Sequence, residues 1–587
     1  MRNTGFAAAL SIVALAGPVL LAFNLPPSPT LLNQCLSIGL TGGWIAWLSA
    51  GTGMAAGPVR DFAALLAALG LLVVGLAASL AAGLPVTIAV DMLCVIGACA
   101  ATILAAGVAA RCGAAQGAGR HLLQALVWAG VVSAVIGCVQ VFAPDWPDGD
   151  WIARSGLPGR AVGNLRQPNH LSSLLLWSLI AVVGLLELRR LRRPLALAIA
   201  LLLVFAVVLS GSRTGALGML VLAAWGLLDR RLSRPARLAL MASPLIFAAM
   251  WWGMTAWAHE SAHAFGGEGR LSLDSGGDIS SSRFAIWSNA LTMLAREPLT
   301  GVGFGEFNIA WTLTELPHRP TAFFDHTHNL PLQLFVELGL PLGLLVTGLL
   351  LAALLQARRR AWSHAGNEGS VHRAAFMIVL MIGLHSLLEY PLWYAYFLLP
   401  TAFAWGYALS RPAAAADSHD ATSAAAAPPR GSRALAATGL AMSLGAAAAV
   451  LDYRQVGIIY DPPEVAAPLE ERIARGQRSP LFGHHADYAA ATAFGEPKAP
   501  LSPSQQLAFR RAPHQLLDVR LMIAWSQALA AQGELDKARW LAARIREFRN
   551  SGADEFFEPC QRPEQAAHSF QCQPPQRVVN WREFVQR

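Results

Sequence analysis

Three arginines and a pair of histidines stand out from an otherwise apolar chain. Arg213 lies in the run Ser210-Gly211-Ser212-Arg213-Thr214-Gly215, between two apolar segments. Small neighbours let an anion approach the backbone, and a guanidinium fork grips phosphate oxygens bidentately. An arginine at a membrane edge is a functional hypothesis by default; the plain alternative is a side chain snorkelling to the headgroups. Arg166 precedes a second polar patch, in GNLRQPNHL, residues 163–171. Pro168 marks a helix start there, Asn169 and His170 fill the first turn, and the free backbone donors suit an anion. The alternative is an ordinary helix cap.

Arg283 heads a third group, in SSRFAIWSNALTMLAR, residues 281–296. Phe284, Trp287, Leu291 and Leu294 share one face, which suits a helix lying on a membrane surface. GVGFGEF, residues 301–307, lacks the Lys-Ser/Thr of a phosphate loop and a preceding strand. It reads as a tight turn against another segment, not as a nucleotide site. The stretch that begins at Arg283 ends in DHTHN, residues 325–329, and an apolar run carrying Glu337. His326 and His328 are two residues apart and cannot share a helical face. A zinc site would call for wider spacing and further ligands, so no metal is assigned. One histidine suits a general base that deprotonates a hydroxyl acceptor. His328 directly precedes the apolar run, and Asn329 is placed to orient it; a capping histidine is the alternative.

The elements that position these groups follow from composition. The 587 residues are 55% hydrophobic and only 14% charged, against about 25% charged for a soluble domain. Repeated apolar runs of membrane length make this an all-α polytopic membrane protein with about 12–13 transmembrane helices. The net charge of +8 is almost all arginine, in short loops between those runs. That is the pattern of topology determination, not of nucleic-acid binding. Spans are expected at about 5–24 (uncleaved), 31–52, 62–83, 85–108 and 121–143, then 169–188, 194–210, 214–228 and 238–257. Further spans are expected at about 329–356, 374–388, 391–410 and 434–451.

The arginine-rich loops all fall on one side, taken as cytoplasmic. The loop 144–168 and the large loop 258–328 then fall outside, with the arginine turn of the 169–257 helices facing the same way. Residues 411–433, rich in Ala, Pro, Ser and Asp, read as a cytoplasmic linker. The tail, 452–587, reads as a separate soluble helical unit carried outside. Its residues 516–549 form a helical hairpin broken at Gly533, with Trp525, Leu529 and Ala538 at helical spacing. This resembles one tetratricopeptide-type unit. Cys35, Cys94, Cys99, Cys112 and Cys138 read as small hydrophobes. Cys560 and Cys572, the only cysteines of the tail, are expected to pair in an oxidising compartment; free thiols are the alternative.

Several of these segments resemble a known family. GNLRQPNHLSSLL (163–175) resembles the signature of the bacterial PglL-type protein O-oligosaccharyltransferases, within the O-antigen ligase and Wzy polymerase superfamily. SGSRTGAL (210–217), the segment from RFAIW to GVGFGEF (283–307) and HTHNLPLQLFVELGLPLGLL (326–345) resemble the ligase core. HSLLEYPLWYAYFLLP (385–400) resembles the C-terminal region of the protein-glycosylation branch. The resemblance implies a GT-C-like inner-membrane enzyme with its active site on the periplasmic face. It implies transfer of an oligosaccharide from undecaprenyl diphosphate to Ser or Thr hydroxyls of pilins or other exported proteins, without metal or cofactor. It maps the catalytic histidine onto His328 and the diphosphate-binding arginines onto Arg213 and Arg283, with Arg166 a further candidate. Asn169, His170, His326, Asn329 and Glu337 are supporting residues. An O-antigen ligase acting on lipid A–core, or a polymerase, would use the same machinery with another acceptor. A transporter of lipid-linked substrates is the alternative of another class; it calls for ionisable residues deep in the spans.

Overall fold

The computed structural model describes residues 4–50, 59–111, 117–261, 263–268, 279–317, 319–320, 323–411 and 430–585. Among these residues every regular element is helical. Each expected apolar run is a helix: α1 Thr4–Leu20, α2 Leu31–Ala50, α3 Ala63–Ala82, α4 Val86–Arg111 and α5 Ala118–Phe142. Then come α6 Pro168–Glu187, α7 Arg193–Ser210, α8 Arg213–Leu228 and α9 Arg234–Ser261. After α10 Ile279–Arg296 and the short α11 Phe307–Leu313 follow α12 Leu330–Ala361, α13 Gly366–Ser386, α14 Ala395–Leu409 and α15 Arg430–Tyr460. Nine helices among the described residues are long and apolar enough to cross a membrane, while α1, α8 and α14 are apolar but shorter. Most of the expected linker 411–433, the middle of the expected large loop and Cys112 lie outside the described residues.

The chain forms two compact units, each drawn from three stretches of sequence. The first comprises residues 1–66, 97–278 and 350–447. In it α5 lies along α1 and α6, and α6 along α7 and α13. Small residues permit close approach: a Cβ on Gly130 of α5 would fall 2.1 Å from the Ser178 hydroxyl of α6. The loop after α5 is tied to that helix by the buried Gln140. Its carbonyl accepts from Val162 N (2.9 Å) and Gly163 N (2.8 Å), and its amide donates to Ala153 O (2.6 Å). Two buried aspartates form ion pairs with arginines that the charge pattern assigned to topology alone. Asp61 meets Arg360 (3.3 Å) and Arg411 (2.8 Å), and Asp229 meets Arg373 (3.0 Å).

The second unit comprises residues 67–96, 279–349 and 448–587. Its tail helices include α16 Leu469–Gly476, α17 Gly483–Thr492, α18 Pro503–Arg511, α19 Val519–Ala531 and α20 Leu535–Phe548. The last two form the hairpin expected around Gly533, whose φ of +84° only a glycine adopts easily. Cys560 and Cys572 are joined by a disulfide. The tail does not build its core alone. Ile286, Met293, Phe307, Trp311 and Val336 share one apolar cluster with Ile459, Ile473, Leu521, Trp525, Leu541 and Phe548. The sequence suggested a self-contained tail because its hairpin looked complete. The hairpin's inner face is instead closed by α10 and α11.

Polar contacts reinforce that union. Arg319 is buried, with Nε 2.9 Å from Glu547 and its guanidinium 4.6 Å from the Phe548 ring. Its remaining donors go to the carbonyls of Trp311 and Thr314. Burial pushes its pKa down to about 10 against the pull of Glu547, so it stays charged at neutral pH. His514 meets the Glu306 carboxylate at 2.8 Å, both buried. On α10 the buried stripe is Ile286, Ala290, Met293 and Leu294, while Phe284 and Leu291 stay exposed.

The helix α12 is not continuous. Gly339 has φ +74° and ψ 168°, with Pro341 just beyond. A break frees backbone groups that must find other partners. The glycine-rich segment supplies them: Val302 N donates to Val336 O (2.9 Å), Gly303 N to Glu337 O (2.9 Å), and Leu340 N to Pro298 O (2.8 Å). The expected turn against another segment is this one. Gly301 and Gly339 make it possible, since a Cβ on either would fall within about 2.5 Å of the opposite backbone.

Candidate functional site

In the first unit, the arginine turn is built by capping. Gly211 closes α7 in the left-handed region at φ +55°, and Ser212 caps α8, its hydroxyl accepting from Gly215 N at 3.1 Å. Arg213 is therefore the first residue of α8, half-buried. A guanidinium and the positive end of a helix dipole stand at the same spot, which favours an anion there. Arg160, which the sequence reading did not single out, braces the turn. Its Nε donates to Ser210 O at 2.9 Å and its Nη2 to Gly211 O at 3.3 Å.

The signature segment is placed beside this turn. Gln167 caps α6, accepting from His170 N at 2.8 Å, and Pro168 occupies the first helical position. Asn169 then reaches two ways. Its carbonyl accepts from the Ser212 hydroxyl (2.6 Å), and its amide donates to Glu389 Oε1 (3.0 Å). Arg166 sits at φ +56° and sends its guanidinium to the carbonyls of Ala22 and Pro29, in the connection between α1 and α2. His170 is buried, with Tyr394 and Phe397 ring centroids at 4.7 and 5.2 Å. Its neighbour His385 has Nδ1 2.7 Å from the Ser173 hydroxyl. Asn169 thus joins the network that caps α8 just before Arg213, while Arg166 and His170 face other surroundings.

In the second unit the histidine loop is equally determined. His328 lies in the left-handed region at φ +56°, which costs a non-glycine residue about 1–2 kcal/mol. Its neighbours hold it there. Thr327, fully buried, receives Trp287 Nε1 on its carbonyl at 2.9 Å, and its N–H donates to Gln333 Oε1 at 2.7 Å. The Thr327 hydroxyl bonds to Asn329 O at 2.9 Å, and Asn329 caps α12 by accepting from Leu332 N at 3.0 Å. The His326 ring lies 4.3 Å from the His328 ring, edge to face, and its Nδ1 meets the Asp325 carboxylate. Glu337 is buried one turn beyond Gln333 and accepts from Gly305 N at 3.2 Å. Arg283 stands half-buried on α10, four residues before Trp287. The helix bearing Arg283 is thereby tied to the loop bearing His328.

Chemically, the first constellation presents fixed positive charge at a helix N-terminus. The second presents an imidazole on a rigid backbone. Glu389, Gln333 and Thr327 were missed as site residues. Glu389 was visible as an acid in an otherwise apolar helical hairpin, whereas nothing in the sequence marks Gln333 or Thr327.

Three family models match the chain. One described as O-antigen ligase covers residues 195–347, one described as protein glycosylation ligase covers 161–186, and one described as virulence factor membrane-bound polymerase, C-terminal, covers 373–555. In these segments the chain is similar to the O-antigen ligase superfamily. Two Acinetobacter baylyi proteins are similar to it. A ComP-specific O-oligosaccharyltransferase is 27% identical over 264 residues, 43% of this chain and 44% of that protein. A general O-oligosaccharyltransferase is 28% identical over 298 residues, 47% and 48% respectively. The chain thus aligns with about half the length of either relative. Arg213, Arg283 and His328 all fall in the O-antigen ligase match. Arg166, Asn169 and His170 fall in the protein glycosylation ligase match.

Proposed function

We propose that the protein is an O-oligosaccharyltransferase that moves a glycan from undecaprenyl diphosphate to Ser or Thr hydroxyls of a pilin or another exported protein. The observation that carries this reading is His328. A residue held in an unfavourable backbone conformation by a bonded loop, with Thr327 and Gln333 buried within it, is the kind of strain that functional sites keep. Both similar relatives are named as O-oligosaccharyltransferases, which agrees with a hydroxyl acceptor.

In this reading the acceptor oxygen attacks the anomeric carbon, and the bond from that carbon to the phosphate oxygen breaks. His328 takes the acceptor proton, and undecaprenyl diphosphate leaves with one more negative charge. Arg213, aided by the α8 N-terminus, and Arg283 stabilise that charge where it develops. Arg166 supports the same chemistry by fixing the connection between α1 and α2. His326, with Asp325 on its Nδ1, borders the base. The reading calls for no metal or cofactor, and it puts the chain in the bacterial inner membrane with the chemistry on the periplasmic face. Loops 144–168 and 258–328 and the tail then lie outside, and the linker 411–433 inside. The test is mass spectrometry of periplasmic proteins from cells with and without this gene. Glycopeptides lost on deletion support the reading; an unchanged glycoproteome with altered lipopolysaccharide would assign the acceptor to lipid A–core instead.

A further inference from the structure

Glu389 lies between α13 and α14, is 6% exposed, and has its N–H bonded to His385 O. Burying a carboxylate costs several kcal/mol unless hydrogen bonds offset it, so its presence calls for a reason. Its partners supply one. A carboxylate only accepts hydrogen bonds, so the Asn169 amide must turn its NH2 toward Glu389 and its carbonyl toward Ser212. The Ser212 hydroxyl, 2.6 Å from that carbonyl, is then committed as a donor. A lone pair is left to accept from Gly215 N at 3.1 Å; the Ser172 hydroxyl, 3.0 Å away, shares its one proton between Ser212 and Asn169 O. That is the arrangement that caps α8 immediately before Arg213.

We infer that Glu389 is a positioning residue for Arg213, acting through the polarity it imposes on the chain Glu389–Asn169–Ser212. The inference rests on the reading of Arg213 as a donor-binding residue. Without the carboxylate, the Asn169 amide can flip and present a donor to Ser212. The hydroxyl then loses its acceptor and its fixed role as cap. The first turn of α8 loosens, and the guanidinium loosens with it. A glutamine at 389 keeps an oxygen in place for Asn169 and preserves the polarity.

The experiment uses the full-length protein in lipid nanodiscs, with a synthetic undecaprenyl-diphosphate glycan and an acceptor peptide. Two readouts are taken: steady-state transfer kinetics, and hydrogen exchange of the amides at 213–216. Glu389→Ala is expected to raise the donor KM about tenfold, the scale of a lost helix cap, with the acceptor KM unchanged and exchange at 213–216 faster. Glu389→Gln is expected to stay within about threefold of wild type in both readouts. Ser212→Ala, which removes the cap directly, should reproduce the donor-selective defect and carries the test if Glu389→Ala fails to insert. The double variant should be no worse than Ser212→Ala alone. Unchanged exchange and donor KM in Glu389→Ala would overturn the inference. So would a Glu389→Gln variant as impaired as the alanine, which would put the charge itself on the substrate. If wild type transfers no glycan, the functional reading falls, while the exchange data still decide the relay.

Discussion

Replacing Gly339 by alanine tests whether the break in α12 is a requirement or an accident. A Cβ at this position would lie 2.3 Å from Leu299 O, 2.5 Å from its carbonyl carbon and 2.8 Å from Thr300 N. These are backbone atoms, so no rotamer change relieves the clash. The backbone angles of φ +74° and ψ 168° lie in a region that is essentially glycine-only, at a cost of about 1–3 kcal/mol. Forcing the segments apart adds about 1–3 kcal/mol of overpacking. It also strains the bonds that Val302 N and Gly303 N donate to the carbonyls of Val336 and Glu337. The sum, about 2–6 kcal/mol, corresponds to a fall in melting temperature of roughly 5–15 °C for a unit of this size. Gly348, in the same helix with nothing within 4 Å of its would-be Cβ, is the control. Gly348→Ala should be neutral or stabilising by up to about 1 kcal/mol. Thermal unfolding in detergent, followed by tryptophan fluorescence, reads both. If Gly339→Ala melts and transfers glycan like wild type, the close approach described here is wrong.

His328→Ala should lower glycan transfer by about 10²–10⁴-fold, the range for a general base, while insertion is unchanged; full activity in a reconstituted assay would remove His328 from the chemistry. Arg213→Lys should lose at least about tenfold in donor affinity, because a point charge does not replace a bidentate fork; titration with undecaprenyl diphosphate checks this. Arg319→Ala should destabilise the tail-bearing unit by about 1–3 kcal/mol, since it strips the buried carbonyls of Trp311 and Thr314 of their donor while Glu547 keeps Arg544, read as a lower melting temperature. Burial pushes the Asp487 carboxyl up to about 6 from its ordinary value of 3.8, against the pull of Arg511. A raised folded-state value means the group's contribution is complete below 3.8 and is lost as pH rises through 6. Asp487→Asn should therefore flatten the melting temperature between about pH 4 and 6; an unchanged slope there would refute the assignment.

The helices were legible because an apolar run of membrane length has one outcome, and its ends are marked by Pro168, Ser212 and the arginine clusters. The histidine and arginine candidates were legible as charges without a topological reason. What escaped was whatever depends on tertiary partners. The break at Gly339 is written only as a Gly-Leu-Pro step within an apolar run, and such steps also occur in unbroken helices. Arg360 looks like its neighbours Arg358 and Arg359, Arg373 is a lone arginine at the foot of an apolar run, and only the fold gives them Asp61 and Asp229. Gln333 and Thr327 have no local signature, since their task is to hold a backbone conformation at another residue. The tail's dependence on α10 and α11 was hidden because its apolar stripe is satisfied equally well, on paper, by itself.

That shared cluster carries a consequence for how the molecule comes into being. Phe307, Trp311 and Val336 leave the ribosome more than a hundred residues before Leu521, Trp525 and Leu541, the side chains that will cover them. Half of the structure around His328 must therefore wait, with its greasy face uncovered, until nearly the whole polypeptide has been made. A gene cut short after α14 would yield a protein that reaches the bilayer yet never completes the frame around its histidine loop.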